Sequence, residues 1–387
     1  MAFNSPLQRF TQRISIFVAA LTITFSLALP AALAEQGLTL KTPPKIAMVV
    51  YGPIYDGGWS TSFNEARLRM QDTLGMPISY ADKLDENDAR VIVVVERFIA
   101  DGHNIIIGTA NDFSSIFEVL AKRHPDIAFL NAAGTTNGTN LLSFYGRSYE
   151  SQYLCGMLAG LKSPNGKLGF VAAKNITVVN WSINGFALGA KRTHPDSKVG
   201  LRYTNSWADP RAEELASRDL INMGAEVLGQ HVDTPAPQKT AQQMGVFSTG
   251  QHRDQSNLTP DTTLCSSIWV WDRYLVPEIR KIMAGAWVPE PYGALPDFKN
   301  GPADISINEE LVPTPWIERV MAERQLLIEG KDIFVGPLKD NQGVLRLADG
   351  ETMSLENLWQ MDWLVEDVDS VTHNDNRERS MAHGGTE

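Results

Sequence analysis

Cysteine is almost missing from this chain: there are two in 387 residues, Cys155 and Cys265. Two thiols permit one bridge but no disulfide framework, so the fold has to rest on its apolar core. Cys155 lies in YLCGMLAG, an apolar helical pattern that predicts a buried free thiol. The phosphate-binding patterns GxGxxG and GxxxxGK[ST] are absent, and the pair Gly57-Gly58 is followed by Trp59 rather than by a cradle. No GxSxG elbow occurs, which removes local support for a serine hydrolase. The seven histidines are His103, His124, His194, His231, His252, His373 and His383. None pairs with another at i+3 to i+5 or neighbours a cysteine, so no metal-ligand spacing exists. Lys and Arg form no block and the net charge is −11, which argues against nucleic acid or an anionic membrane surface as partner. Neither a cofactor, a metal nor a catalytic residue is expected.

One long apolar run is present, at the start. Arg9 and Arg13 form a basic region, residues 14–29 an apolar one, and Ala32-Leu33-Ala34 a cleavage pattern. Residues 1–34 therefore read as a signal peptide. Its removal takes away two positive charges and leaves −13. No cysteine stands near the cleavage pattern, so no lipid anchor is expected there. The reading is an exported, soluble protein.

After a loose linker the pattern alternates. Strands are expected at 45–51, 77–81, 104–107 and 127–131, with helices at 60–74, 86–100 and 114–122. The run Val91 to Val95 has strand propensity, but Val91, Ile92, Val95, Phe98 and Ile99 share a helical face, so it is read as helix. A helix at 148–161 carries Gly156, Ala159 and Gly160, which allow close packing. A second series follows: strands at 167–172, 199–203, 227–231, 245–249 and 264–268, helices at 178–193, 211–223, 238–244 and 271–284. Residues 289–302 read as loop, 339–347 as a hairpin turning at 341–343, 354–359 as a helix, and 372–387 as a frayed tail. Repeated βα units imply an α/β fold with parallel sheets covered on both faces.

Tryptophan is plentiful. Nine occur, and Trp59, Trp181, Trp207, Trp269 and Trp271 fall at loop or strand-end positions. Two neighbour an acid in a loop, in DGGW (Asp56 to Trp59) and WADP (Trp207 to Pro210), one in each half of the chain. A flat ring held between two indoles, with carboxylates on its edge, would account for both. Ligands of open α/β sheets sit beyond the carboxyl ends of the strands, where the first of these loops lies.

DGGW, GRSYESQYLCGMLAG, NGKLGFVAA, INGFALGAK, NSWADPRAEELA, GAEVLGQHVDTP, DQSNLTPDTTLCSS and VGPLKDNQG together resemble the basic membrane protein (BMP) family. These are substrate-binding proteins of ABC importers, of the type that binds purine nucleosides or bases. The resemblance implies a type I periplasmic-binding-protein fold, two Rossmann-like lobes joined by three crossing segments with ligand in the cleft. Lobe one would span 45–157 and about 264–285, and lobe two 158–263 and about 286–330. Residues 331–369 carry a hairpin and helix of open lobe assignment, and 370–387 form a tail. Trp59 matches the family's stacking aromatic and Asp56 its leading acid, while Ser60 replaces its Asn. Trp207 with Asp209 matches the later aromatic loop, and Asp254 the acid before Gln-Ser. Where the family often carries a Lys, this chain has SSIWVW with Trp269 and Trp271. That departure, and the GW form of the first motif, resemble the branch that binds free bases such as adenine rather than nucleosides.

The expected site is thus Asp56, Trp59, Asn111, Tyr145, Trp181, Trp207, Asp209 and Asp254, holding a purine base or nucleoside. Arg147 either touches ligand or forms an ion pair at the hinge. The expected partners are a small-molecule purine and an inner-membrane ABC permease, with the protein itself a monomer. Two other functions stay open: a receptor of the same fold feeding a signalling partner, and an exported nucleoside hydrolase, which lacks an Asp-rich metal cluster here.

Overall fold

Ile46–Val49 (β1) buries all four of its side chains, as a strand covered on both faces must. The computed structural model describes residues 37–84 and 89–370. The expected signal segment, the tail from 371 and the first residues of the helix expected from 86 lie outside the described residues. After β1, the helix Trp59–Leu74 (α1) buries Phe63, Ala66 and Met70 and ends at Gly75, whose φ of 67° is left-handed. Then come Ile78–Ala81 (β2), Arg90–Ala100 (α2), Ile105–Gly108 (β3), Ser114–Arg123 (α3), Ala128–Ala132 (β4) and Leu141–Phe144 (β5). In α2, Val91 and Val95 are buried while Val93 is exposed, so the β-branched run is a helix with one apolar face. The sheet order is β2-β1-β3-β4-β5, every pair parallel.

The chain then crosses to a second sheet through Ser148–Lys162 (α4). This helix packs on Thr177–Thr193 (α5) so closely that a Cβ on Gly189 would lie 1.8 Å from the Tyr153 carbonyl oxygen. The small residues read in 148–161 serve this contact. Between and after them run Lys167–Ala172 (β6), Lys198–Tyr203 (β7), Pro210–Asn222 (α6), Val227–His231 (β8), Ala236–Met244 (α7), Phe247–His252 (β9) and Thr263–Trp269 (β10). Trp271–Met283 (α8) returns to pack on α1. The remainder holds Ala303–Ile307 (β11), Thr314–Ile328 (α9), the hairpin Leu338–Lys339 (β12) and Leu345–Leu347 (β13), Leu355–Trp359 (α10) and Val368–Ser370 (β14). The second sheet has the order β11-β10-β9-β8-β6-β7-β14, parallel except for β11 against β10.

Two lobes joined by three crossings, after β5, after β10 and between α8 and β11, make a type I solute-binding fold. Some expected boundaries shift. β10 lies in the second sheet rather than with the first lobe, because it pairs with β9 and β11; the return starts at Trp271. Helix α4 belongs with α5 in the second lobe, and the stretch to Ala294 lies along the first, where Tyr145 N–H donates to the Ala294 carbonyl at 2.9 Å. Four elements escape the sequence reading: β5, β11, α9 and β14. The C-terminal segment lies on lobe two, tied by β14 and by Lys191 and Lys198 to Asp367. Among the described residues no helix is long and apolar enough to cross a membrane.

Candidate functional site

Between the lobes lies a cavity, part of it open to solvent. The first lobe supplies Tyr51, Trp59, Thr109, Asn111 and Thr135, the second Ile176, Val178, Trp207, His231, Asp233 and His252. Tyr145 comes from the first crossing and Trp359 from the C-terminal segment.

Trp59 opens α1 and donates its indole N–H to the Thr109 carbonyl at 2.8 Å, which fixes the ring. Its plane runs within 26° of the Tyr145 ring at a centroid distance of 6.2 Å. Trp269 and Trp271, stacked on each other at 4.4 Å, meet its edge and fill the space behind it. Trp207 is half-buried on the opposite lobe, with Lys174 Nζ 5.2 Å from its ring centroid. Asn111 donates to the Ala133 carbonyl at 2.8 Å. So Trp59, Asn111, Tyr145 and Trp207 converge on one cavity.

The other four expected residues do not line it. Asp56 is occupied locally: its carboxylate accepts from the backbone N–H of Gly58, Ser60 and Thr61 at 2.8–2.9 Å and holds the first turn of α1. Asp209 is the N-cap of α6, accepting from Arg211 and Ala212 N–H. Asp254 accepts from Ser256 and from Ser306 Oγ, and these bonds keep its carboxyl below the usual range despite its partial burial. Trp181 is fully buried one layer back, donating to the Leu358 carbonyl at 2.7 Å and packing on Tyr145 and Trp359. Arg147 is at the hinge, in an ion pair with Glu150 at 3.5 Å.

The polar edge is built instead from Asp233, His231 and His252, none of them expected. All three stand at or just past the carboxyl ends of β8 and β9. His252 Nε2 is 3.1 Å from Asp233 Oδ1, and Trp269 donates its N–H to His252 Nδ1 at 3.0 Å. His231 Nδ1 is 2.9 Å from Ser182 Oγ. Burial pushes the Asp233 carboxyl well above its ordinary value, with Asp56 adding to the shift and Lys174 opposing it. Burial pulls His252 down to about 3 and holds His231 well below its ordinary value. The group is thus a buried set of hydrogen-bonding partners for which burial disfavours the charged forms, and hydrogen bonds in such surroundings are strong. Among the described residues no acids, histidines or cysteines converge as a metal-holding group. Two non-glycine residues of the wall, Ala133 (φ 55°) and His252 (φ 72°), are held in left-handed backbone, strain of the sort that collects at ligand sites.

The lobes touch across the mouth. Gln255 donates to the Gly57 carbonyl at 3.2 Å, and Arg253 pairs with Glu65 at 3.0 Å. The conformation is closed.

Residues 44–293 match the family of PnrA-like ABC transporter substrate-binding proteins. A purine-binding protein of Brucella abortus is 27% identical over 84% of this chain and 93% of its own. Among solved structures, a solute-binding protein of an ABC transporter system from Conexibacter woesei superposes with a TM-score of 0.63 at 20% identity, over 74% of this chain and 97% of its own. A transcriptional activator of the comK gene from Bacillus halodurans gives 0.65 at 23% identity, over 74% and 98%. With the family match covering most of the chain, this protein belongs to the PnrA-like substrate-binding proteins of ABC transporters.

Proposed function

We propose that the protein is an extracytoplasmic receptor that closes on a free purine base and presents it to an ABC permease. The observation that carries this reading is the composition of the cavity: five aromatic side chains, Tyr51, Trp59, Tyr145, Trp207 and Trp359, around a short polar edge of Asp233, His231, His252 and Asn111. A planar heterocycle fits such walls, and base–aromatic stacking contributes about 1–3 kcal/mol per contact. A hexose would bring several hydroxyls to a site with few polar partners, leaving some of them desolvated and unpaired. Trp269 and Trp271 pack behind Trp59 and His252 and back that wall of the cavity. The similarity to a purine-binding protein supports the same class. A base of about ten non-hydrogen atoms can reach sub-micromolar affinity under the ligand-efficiency ceiling. Closure shifts a population of open and closed forms and breaks no bond in the ligand.

Mass spectrometry of the small molecules released from protein purified out of cells identifies the natural occupant. Calorimetric titration with adenine, guanine, hypoxanthine, adenosine, guanosine and glucose then ranks the classes, with a base expected first. Binding weaker than millimolar for every purine overturns the reading; tighter binding of a nucleoside overturns its narrower form.

A further inference from the structure

Trp269, His252 and Asp233 form a chain of hydrogen bonds whose protons can be assigned from chemistry alone. The Trp269 indole nitrogen lies 3.0 Å from His252 Nδ1. An indole N–H donates and cannot accept, so Nδ1 must present its lone pair. The imidazole still holds one proton, which is therefore on Nε2, and Nε2–H donates to Asp233 Oδ1 at 3.1 Å. Oδ1 is an acceptor here whether the carboxyl is ionised or neutral. No hydrogen bond from the described residues reaches Oδ2, which leaves that atom to the occupant of the cavity.

We propose that Trp269 is a positioning residue for ligand specificity: it locks His252 as the neutral Nε2–H tautomer, so that Asp233 meets the ligand through Oδ2 alone and histidine protonation does not alter recognition. The proposal rests on the reading that this cavity holds the transported ligand. A second proton on His252 would set two N–H donors face to face, and Trp269 has no room to withdraw. It stacks on Trp271 at 4.4 Å and meets Trp59 and Tyr145 edge-on at 6.1 and 5.2 Å. The three members of the chain are 5%, 1% and 6% exposed, in the order Trp269, His252, Asp233. The other titratable groups near the pair are His231, 5.6 Å from the His252 ring, with Asp56, Lys174 and Tyr145 acting on it or on Asp233, and Glu213 beside Asp233. Burial of His252 acts in the same direction as the lock. The sequence position Trp269 thus differs in role from Trp59: it touches the ligand's partner, not the ligand.

Histidine-selective nitrogen-15 NMR of the ligand-free full chain tests this, with His252→Gln identifying the signal. The expected result is Nδ1 in the unprotonated range and Nε2 in the protonated range, unchanged from pH 5 to 8. In Trp269→Phe, which keeps the ring and removes the donor, His252 is expected to titrate or mix tautomers in that window. A proton on Nδ1, titration in the wild type, or an unchanged spectrum in Trp269→Phe overturns the proposal; if that variant fails to fold, the wild-type spectrum alone decides. Adenine affinity at pH 5.5 against pH 8 reads the consequence: the ratio should differ by about threefold or more between the two proteins, since proton linkage then enters binding. An equal ratio overturns the claim on recognition. A locked tautomer without adenine binding removes the purine reading and keeps the lock. Adenine binding with a titrating His252 does the reverse.

Discussion

Gly58 and Asp233 meet backbone to backbone across the cleft: a Cβ on Gly58 would lie 1.9 Å from the Asp233 carbonyl oxygen. Neither atom belongs to a flexible side chain, so the clash can be relieved only by holding the lobes apart. Gly58→Ala should therefore weaken ligand binding by about tenfold to a hundredfold, the equivalent of 1–3 kcal/mol of overpacking. Thermal unfolding of the ligand-free protein should change little, because the open form escapes the contact. Calorimetry paired with small-angle scattering checks this; unchanged affinity would mean that closure does not bring these backbones together.

Trp59 and Trp207 both face the cavity but differ in what else they hold. Trp59 touches Phe63, Tyr145, Trp269 and Trp271, whereas Trp207 is half-buried with Lys174 and His231 beside it. Trp207→Ala should lower adenine affinity by about tenfold on the stacking estimate, with the melting temperature nearly unchanged. Trp59→Ala should lose affinity to a similar extent and also about 3–5 kcal/mol of stability, the cost of emptying a core aromatic site. Equal melting temperatures for the two variants would contradict the packing assigned to Trp59.

The acids separate in the same way. Asp56→Ala removes the acceptor for three N–H groups at the start of α1 and should cost about 1–2 kcal/mol in denaturant unfolding. Asp233→Asn should leave folding intact, since an amide of nearly equal size replaces a carboxyl that burial already disfavours as an anion, while adenine affinity falls by tenfold or more. If Asp56→Ala abolished binding at full stability and Asp233→Asn bound normally, the two roles would have to be exchanged.

These acids also mark where sequence reasoning reaches and where it stops. The alternation of buried strands and amphipathic helices is written in local periodicity, so β1 to β4, β6 to β10 and most helices are readable from the chain. Strand β5 is four residues behind a polar turn, β14 is three residues added to the edge of β7, and α9 begins at Thr314-Pro315 with few buried positions. Their evidence is the partner they pair with, which is distant in sequence. In the site, Asp56, Asp209 and Asp254 attract attention because loop acids beside tryptophan suggest recognition. Yet an Asp just ahead of a helix is first of all a cap, and local backbone amides claim the carboxylate before any ligand does. The signal for Asp233 and His252 was positional: His252 closes β9 and Asp233 stands just past the end of β8, where ligands of parallel sheets bind. Trp359 had no such signal, because its place at the cavity depends on how the C-terminal segment folds back over α5.

Glu213 is a buried carboxyl beside this site whose ionisation should make stability depend on pH. It is fully buried at the start of α6, where it accepts from the Asp209 N–H at 3.2 Å and from the Thr234 hydroxyl, next to Asp233. Burial raises its carboxyl from 4.5 to about 8, against the hydrogen bonds that lower it. Between those values the unfolded chain is ionised and the folded one protonated, so the unfolded state binds fewer protons and stability falls as pH rises. The buried histidines act in the opposite sense, losing stability as pH falls below about 6.5, so the wild-type curve alone mixes the two. Comparison with Glu213→Gln isolates the carboxyl. The variant should gain stability relative to the wild type on going from pH 5 to pH 8, by an amount on the order of a few kcal/mol. Denaturant unfolding at the two values measures it, and a constant difference between the proteins would mean that Glu213 ionises in the fold as it does in the unfolded chain.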